Sequence, residues 1–395
     1  VIKNTCSLHE ELIESAREAA KIISGYANEV DEYALFPINS LNELKKRKLL
    51  SILVSKEDGG GGATLETVSR IAQIISSSCL NTGVIWSMHC QQVAILMKHL
   101  YGAHRQELLH RLVSEQLYIA SITTEKGKGG NIFSSISPLT KLGDEWLLQR
   151  TAPIVTGGQY GDLFLIYMNG NSSDHSAHDV VIALVERSNA KLTYTTNWNS
   201  MGMRGTGSVG MEIEASIEDH QIIKSEKGFK EIALQTVVPI GHISLSASWL
   251  GAAKGVFEKL IAIMRKPVNR TKFNMNSDML FEKLGRIRLK LDVVDNYLKE
   301  MIRQYDNASS DENLFQTNHF SIQINNLKIV ASEMLYEAVD EMINLAGVTY
   351  GYTKNDAIPL ERTLRDIKSA RLMYRNDLLL ITNGKLSLFE KRLLY

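Results

Sequence analysis

The 395-residue sequence predicts a mainly α protein with a central β domain. The expected parts are an N-terminal helical domain over 1–117, an antiparallel β-barrel domain over 118–227 and a C-terminal four-helix bundle over 228–395. Three observations lead there. Apolar residues recur at helical spacing up to about residue 117. The pattern then shortens to strand-like runs until about 225, and a stronger helical period fills the remainder.

In the first part, Leu8, Leu12, Ile13, Ala16, Ala20 and Ile23 fall on one helical face. Helical segments follow near 40–51, 64–78 and 81–115, interrupted by the glycine run EDGGGGA at 57–63. In the second part, YIASITT, EWLLQR, DLFLIYM, DVVIALVER and GMEIEASI are rich in β-branched and aromatic residues. Gly, Asn, Asp and Ser separate them. In the third part, Leu284, Ile287, Leu291, Val294, Leu298 and Met301 alternate three and four apart, as in a bundle. Leu335, Val339 and Met342 continue the pattern beyond the polar break DNASSDEN at 306–313. A last helix is expected over LERTLRDIKSARLMYRNDLLL, residues 360–380.

Composition excludes several function classes. Lys+Arg and Asp+Glu balance at 44 each, so the chain lacks the basic field that nucleic acid requires. No apolar run approaches the roughly 20 residues that span a bilayer, and the N-terminal stretch has no signal-like apolar core. Cys6, Cys79 and Cys90 are too scattered for a disulfide framework, and no HxxxH or HExxH pair suggests a metal. The expectation is a cytoplasmic protein without metal, membrane or nucleic-acid partner.

The chemistry-bearing stretches each admit two readings. TEKGKGGN at 124–131 follows a strand; its glycines either let backbone amides approach a flavin or pyrophosphate, or simply join strands. Arg204, in MGMRGTGSVGMEIEASI, either holds a substrate carboxylate or bonds a neighbouring turn. His89 and His242 are either substrate-facing or satisfied structural histidines.

In chain order, LLSILVSKEDGGGG, SITTEKGKGGN, APIVTGGQYGDLFLIYMN, WNSMGMRGTGSVGMEIEASIED, SWLGAAKGVFEKLIA and INLAGVTYGY…PLERTLRDIKSARL are similar to six segments of the acyl-CoA dehydrogenase superfamily. The resemblance covers nearly the whole chain. It implies an FAD cofactor (FMN or reduced flavin from a partner reductase being the variant) and assembly as a homotetramer or homodimer. It implies flavin contacts at Ser121, Thr123, Thr124, Gly129, Gly130, Ile154, Val155, Thr156 and Gly347. Arg265 or Arg270 takes the place of an arginine reaching the pyrophosphate in a neighbouring subunit.

The departures from the family pattern bear on chemistry. In the family a glutamate removes the substrate α-proton while hydride passes to the flavin. Aligned on Arg365 and Asp366, its place holds Tyr374; the alternative place, on the first bundle helix, falls near Gly241 or Gly255. A tyrosine near its ordinary pKa of about 10 is a poor base at neutral pH. Tyr374, His242 and Asp377 are therefore the candidate catalytic residues, with Glu258 a further acid near the second place, and Arg204 and His89 the candidate substrate contacts. Two activities follow. The first is FAD-dependent oxidation of the CH–CH group of an acyl thioester, on CoA or a carrier protein, with an electron-transfer partner. The alternative is a monooxygenase that uses reduced flavin and O2 on an aromatic, amine or sulfur substrate.

Overall fold

The computed structural model describes residues 2–127, 131–170 and 178–390, with side chains described from residue 9 onward. Gly129 and Gly130 therefore lie outside the described residues. The N-terminal part comprises α1 (Ile2–Glu32), α2 (Ile38–Lys46), α3 (Leu65–Ser78), α4 (Leu80–His99) and α5 (Ala103–Glu115). The helix expected over 81–115 is thus two, broken at Tyr101 and Gly102, where Gly102 has φ +94°. Ile13, Ala16, Ala20 and Ile23 of α1 are buried as their spacing requires. The glycine run packs over the preceding turn: a Cβ on Gly60 would stand 2.3 Å from the Val54 carbonyl oxygen. Its glycines serve close backbone approach, not a phosphate cradle.

The strands are β1 (Ile119–Ile122), β2 (Leu139–Leu142), β3 (Glu145–Val155), β4 (Leu163–Asn169), β5 (Val180–Glu186), β6 (Ala190–Tyr194), β7 (Val209–Glu218) and β8 (Ile222–Ile223). They form two four-stranded sheets, ordered β1-β4-β5-β8 and β2-β3-β7-β6. The expectation of an all-antiparallel domain is corrected at β1 and β4, which pair in parallel. The reason is topological: between them the chain crosses to the second sheet to form β2 and β3 and returns beside β1.

The C-terminal part holds α6 (Phe229–Ile232), a π-helical turn over Ala233–Val237, and then α7 (Val238–Met264), α8 (Asp278–Ser310), α9 (Asn318–Gly347), α10 (Leu360–Lys368) and α11 (Asn376–Ser387). Ile287, Leu291, Val294, Leu298 and Met301 of α8 and Leu335, Val339 and Met342 of α9 are all buried, as predicted. Most residues of α7 from Pro239 to Val256 are buried, so this helix is the axis between the bundle and the N-terminal helices. It presses so closely on α3 that a Cβ on Gly251 would lie 2.2 Å from the Gln73 carbonyl oxygen.

The stretch 360–380 is not one helix. Helix α10 stops at Lys368, a 3-10 turn covers Ser369–Arg371, and Tyr374 adopts φ +51° before α11 begins. Glycine or proline does not cause this break. Its cause is tertiary: the Asn376 side chain bonds Lys328, Ser332 and Glu333 of α9, which fixes where α11 starts. Among the described residues no helix is long and apolar enough to cross a membrane.

Candidate functional site

Two regions carry the residues singled out by the sequence. The first is a shelf on the β domain. The β3–β7 ladder shifts register between Ala152 and Val155, leaving Pro153 and Ile154 exposed. Thr124 holds this bulge: its hydroxyl donates to the Ile154 carbonyl at 2.7 Å and accepts from the Ile154 N–H at 3.4 Å. Thr156 pairs with Ser208 at 3.0 Å, while Ser121 and Thr123 line the neighbouring end of β1. An exposed apolar ledge rimmed by hydroxyls fits one face of a planar ring such as a flavin. Val155 departs from the expectation. Its side chain is fully buried in the core.

Beneath the shelf lies an ion pair that the sequence reading missed. Arg150 Nη1 stands 2.7 Å from Glu125 Oε1, with side chains 0% and 3% exposed. Arg150 also donates to the Thr124 and Thr123 carbonyls (3.1 and 3.4 Å) and to Ser135 (2.8 Å). Glu125 accepts from the Ile136 N–H and from both the N–H and hydroxyl of Ser137. Burial pushes the Glu125 carboxyl upward, but the bonds from Ser137 and Ile136 and the Arg150 charge outweigh it and hold it below the usual range. The signal was available. Arg150 is in phase with inward-facing Leu148 and Ala152, and an arginine on a core face demands a partner.

The second region lies where α4, the start of α7 and the 373–376 turn meet. Gln91 Nε2 donates to the Val237 carbonyl, at 2.5 Å, and to the Tyr374 hydroxyl, at 3.4 Å. Gln92 supports Gln91 with a 3.0 Å bond to its Oε1. The His242 ring meets the Tyr374 ring edge-on, with centroids 5.1 Å apart at 86°. His242 is 1% exposed, and neither ring nitrogen has a hydrogen-bond partner; Asn325 stands beside it without reaching that geometry. Burial, reinforced by the Lys328 charge, lowers the imidazole to about 3, so it is neutral at physiological pH. Burial likewise raises the Tyr374 phenol, against a smaller opposing effect of the Gln91 bond.

The carboxylates do not join them. Asp377 is exposed and paired with Arg375 at 2.5 Å, and Glu258 is exposed on α7. Gly255 faces Ser77 of α3, and a Cβ on Gly241 would meet Gln91 Nε2 at 2.4 Å, so neither alternative place is free for an acid. His89 is a framework residue: its Nδ1 accepts from the Ile119 N–H at 3.1 Å and its Nε2 bonds the Leu50 carbonyl at 2.7 Å. Burial lowers it to about 4, which keeps this neutral tautomer. Arg204 is likewise spent on structure, donating to the Asp31 carbonyl at 2.8 Å at the end of α1. Arg265 and Arg270 are exposed beyond the far end of α7. At about 1.5 Å per residue, Arg265 stands roughly 35 Å from His242 along that helix. Gly347 closes α9 with φ +68° and is exposed. Arg365 pairs with Asp31 and Glu361, and buried Asp366 accepts from the Met203 N–H and from Asn81, so these residues tie α10 to α1 and the 200–206 loop.

Comparison with known proteins decides the family. The model of the acyl-CoA dehydrogenase C-terminal domain matches residues 226–374, and that of the N-terminal domain matches residues 7–116. The chain belongs to the acyl-CoA dehydrogenase family. It is a flavin-dependent oxidoreductase. A curated relative, the short-chain specific acyl-CoA dehydrogenase of Clostridium acetobutylicum, is 25% identical over 345 residues, covering 87% of each chain. Among solved structures, FMN-bound TdsC of Paenibacillus sp. A11-2, a dibenzothiophene monooxygenase, superposes with a TM-score of 0.83 at 18% identity, covering 96% of this chain and 97% of its own. Butyryl-CoA dehydrogenase of Megasphaera elsdenii gives 0.80 at 18% identity, covering 97% and 98%. At these identities the structural likeness establishes the fold.

Proposed function

We propose that this family member oxygenates its substrate, using reduced flavin and O2. The observation that carries the reading is the chemistry of the site around residue 374. A phenol, two carboxamides and a neutral imidazole meet there, while the two candidate acids, Asp377 and Glu258, face solvent. Removing an α-proton calls for a base poised near the working pH. An imidazole at about 3 and a phenol raised above its ordinary value are not such bases. They are suited to donating hydrogen bonds and to orienting an oxygen species or a neutral substrate.

On this reading Thr124 and Ile154 hold one face of the ring system, and the Glu125–Arg150 pair keeps that ledge rigid. Bound flavin would supply the electrons and activate O2. Gln91, fixed by its bond to Val237, orients the Tyr374 hydroxyl, and His242 offers an N–H beside it. Aromatic, amine and sulfur compounds are the substrate classes this chemistry serves, with reduced flavin arriving from a reductase or generated in place.

The second reading is oxidation of an acyl thioester, carried by CoA or a carrier protein, with electrons leaving to an electron-transfer partner. The names of curated relatives favour it. One experiment separates the two. Flavin-loaded protein is reduced anaerobically and mixed with 18O2 and a panel of aromatic, amine and sulfur compounds, and products are read by mass spectrometry. Incorporation of 18O supports oxygenation. No incorporation, together with anaerobic bleaching of oxidised flavin by acyl thioesters, would overturn it.

A further inference from the structure

The π-helical turn over Ala233–Val237 stands just before α7 and is closed by a bond from the Val238 N–H to the Ala233 carbonyl. Side chains from two other helices hold it. The Tyr305 hydroxyl of α8 donates to the Gln235 carbonyl at 3.3 Å, and His99 Nε2 of α4 pairs with the Thr236 hydroxyl at 2.7 Å. The third contact is the bond from Gln91, earlier on α4, to the Val237 carbonyl. His99, Gln91 and Thr236 are all buried.

A backbone carbonyl only accepts, so Val237 dictates which end of the Gln91 amide faces the turn: the NH2 end. The other end is fixed independently. Gln92 Nε2 donates to the Met88 carbonyl at 3.3 Å and to Gln91 Oε1 at 3.0 Å, so Gln92 too sits only one way round. Gly241, lacking a Cβ, lets α7 lie flush against Gln91 Nε2 and confines it. The amide nitrogen therefore donates to Tyr374, and the phenol oxygen is the acceptor in that bond. The phenol proton is not used there, and the half-buried Tyr374 hydroxyl makes no other hydrogen bond among the described residues.

We propose that the π-turn sets the direction of hydrogen bonding in the site. Held by His99 and Tyr305, it makes Gln91 a donor and leaves the Tyr374 O–H to be given to the ligand, which accordingly carries an acceptor atom. His99 and Tyr305 are positioning residues that act through the turn. This rests on the reading of residue 374 as part of the site, and it narrows the substrate. Among aromatic, amine and sulfur compounds, those offering a lone pair to the phenol are selected over hydrocarbons of the same shape.

The test is infrared spectroscopy of the flavin-loaded protein, with the phenol C–O stretch of residue 374 isolated by difference against Tyr374→Phe. That stretch falls when the oxygen accepts a hydrogen bond and rises when the O–H donates one. The wild type should show the lowered band. Quinoline, a planar probe with one ring acceptor, should raise it; naphthalene, of the same shape without an acceptor, should not. His99→Leu and Tyr305→Phe, at residues that bond the turn and not Tyr374, should each raise the unliganded band. His99→Gln, which can still pair with Thr236, should keep the wild-type band. Val294→Ala, a core truncation further back on α8, should leave it in place, which separates general loosening from loss of the turn. A wild-type band already in the donating position overturns the proposal, as does a band that quinoline leaves unmoved. Both are read on the wild type and stand even if a variant does not fold. Folded His99→Leu and Tyr305→Phe proteins with an unchanged band overturn the role of the turn. No turnover enters these readings: a protein that incorporates no 18O but shows the quinoline shift loses the oxygenase reading and keeps this one.

Discussion

Replacing Arg150 with methionine removes the cation of a fully enclosed pair while nearly preserving the volume of its stem. Glu125 then stays in the β-domain interior with its bonds from Ile136 and Ser137 but loses the Arg150 charge. Breaking a buried pair by removing one partner costs about 3–5 kcal/mol. The Thr123 and Thr124 carbonyls and the Ser135 hydroxyl also lose their donor, so the upper end of that range applies. The assay is urea unfolding of the flavin-free protein at pH 7, paired with a flavin-binding titration. Arg150→Met is expected to lose about 4 kcal/mol and to bind flavin at least about tenfold more weakly, because Thr124 no longer fixes the Ile154 ledge. Adding Glu125→Gln removes the buried negative charge and keeps one acceptor, for Ser137, while its amide nitrogen faces the Ile136 N–H, so the double variant should recover only part of the loss. The wild-type pair has its own pH signature. The Glu125 carboxyl is held below its unfolded value, so its contribution is present above about pH 4 and is lost as pH falls through the folded value. An Arg150→Met protein within about 1 kcal/mol of wild type, or one with unchanged flavin affinity, would refute the reasoning.

Three further outcomes are expected. Tyr374→Phe should lower product formation at least about tenfold while leaving flavin affinity unchanged, read as turnover beside a binding titration; equal turnover removes Tyr374 from the site. Gly241→Ala should cost about 1–3 kcal/mol in urea unfolding, since its Cβ would meet Gln91 Nε2 at 2.4 Å, and trimming the obstacle in Gly241→Ala/Gln91→Ala should restore most of it. Asp366 is raised to about 7, chiefly by burial and against the Met203 N–H bond, so the folded state holds a proton that the unfolded chain releases near pH 4. Stability should therefore fall as pH rises from about 4 to 7. Asp366→Asn should flatten that slope at an overall cost of about 1–2 kcal/mol, because an amide nitrogen would then face the Asn81 amide in place of an acceptor.

Much of this fold was legible because burial imposes a period. The faces of α1, α8 and α9 and the five longer strand-like runs could be read from spacing alone. The short strands β2, β6 and β8 could not, having five residues or fewer and mostly polar or edge positions. The parallel pairing of β1 with β4 escaped for a different reason: local alternation does not state which strand lies alongside. The site divides in the same way. Thr124 and Ile154 came from motif order, and Tyr374 from the offset to Arg365 and Asp366. His89 and Arg204 carry the right chemistry in the sequence but spend it on backbone carbonyls and an N–H more than 30 residues away or nearly so, contacts that no local pattern reveals.

The break at 369–375 shows how these levels combine. Propensity favours a continuous helix there, since the segment lacks both glycine and proline. What interrupts it is a set of bonds from α9 to one asparagine, and the residue left at the break is Tyr374. Had the helix run on, residue 374 would have kept a right-handed backbone and a different approach to α7. The turn instead brings its hydroxyl to Gln91 and its ring to His242. The turn presents a phenol to Gln91 and His242, and Lys328, Asn376 and Gln91 are the residues that hold it there.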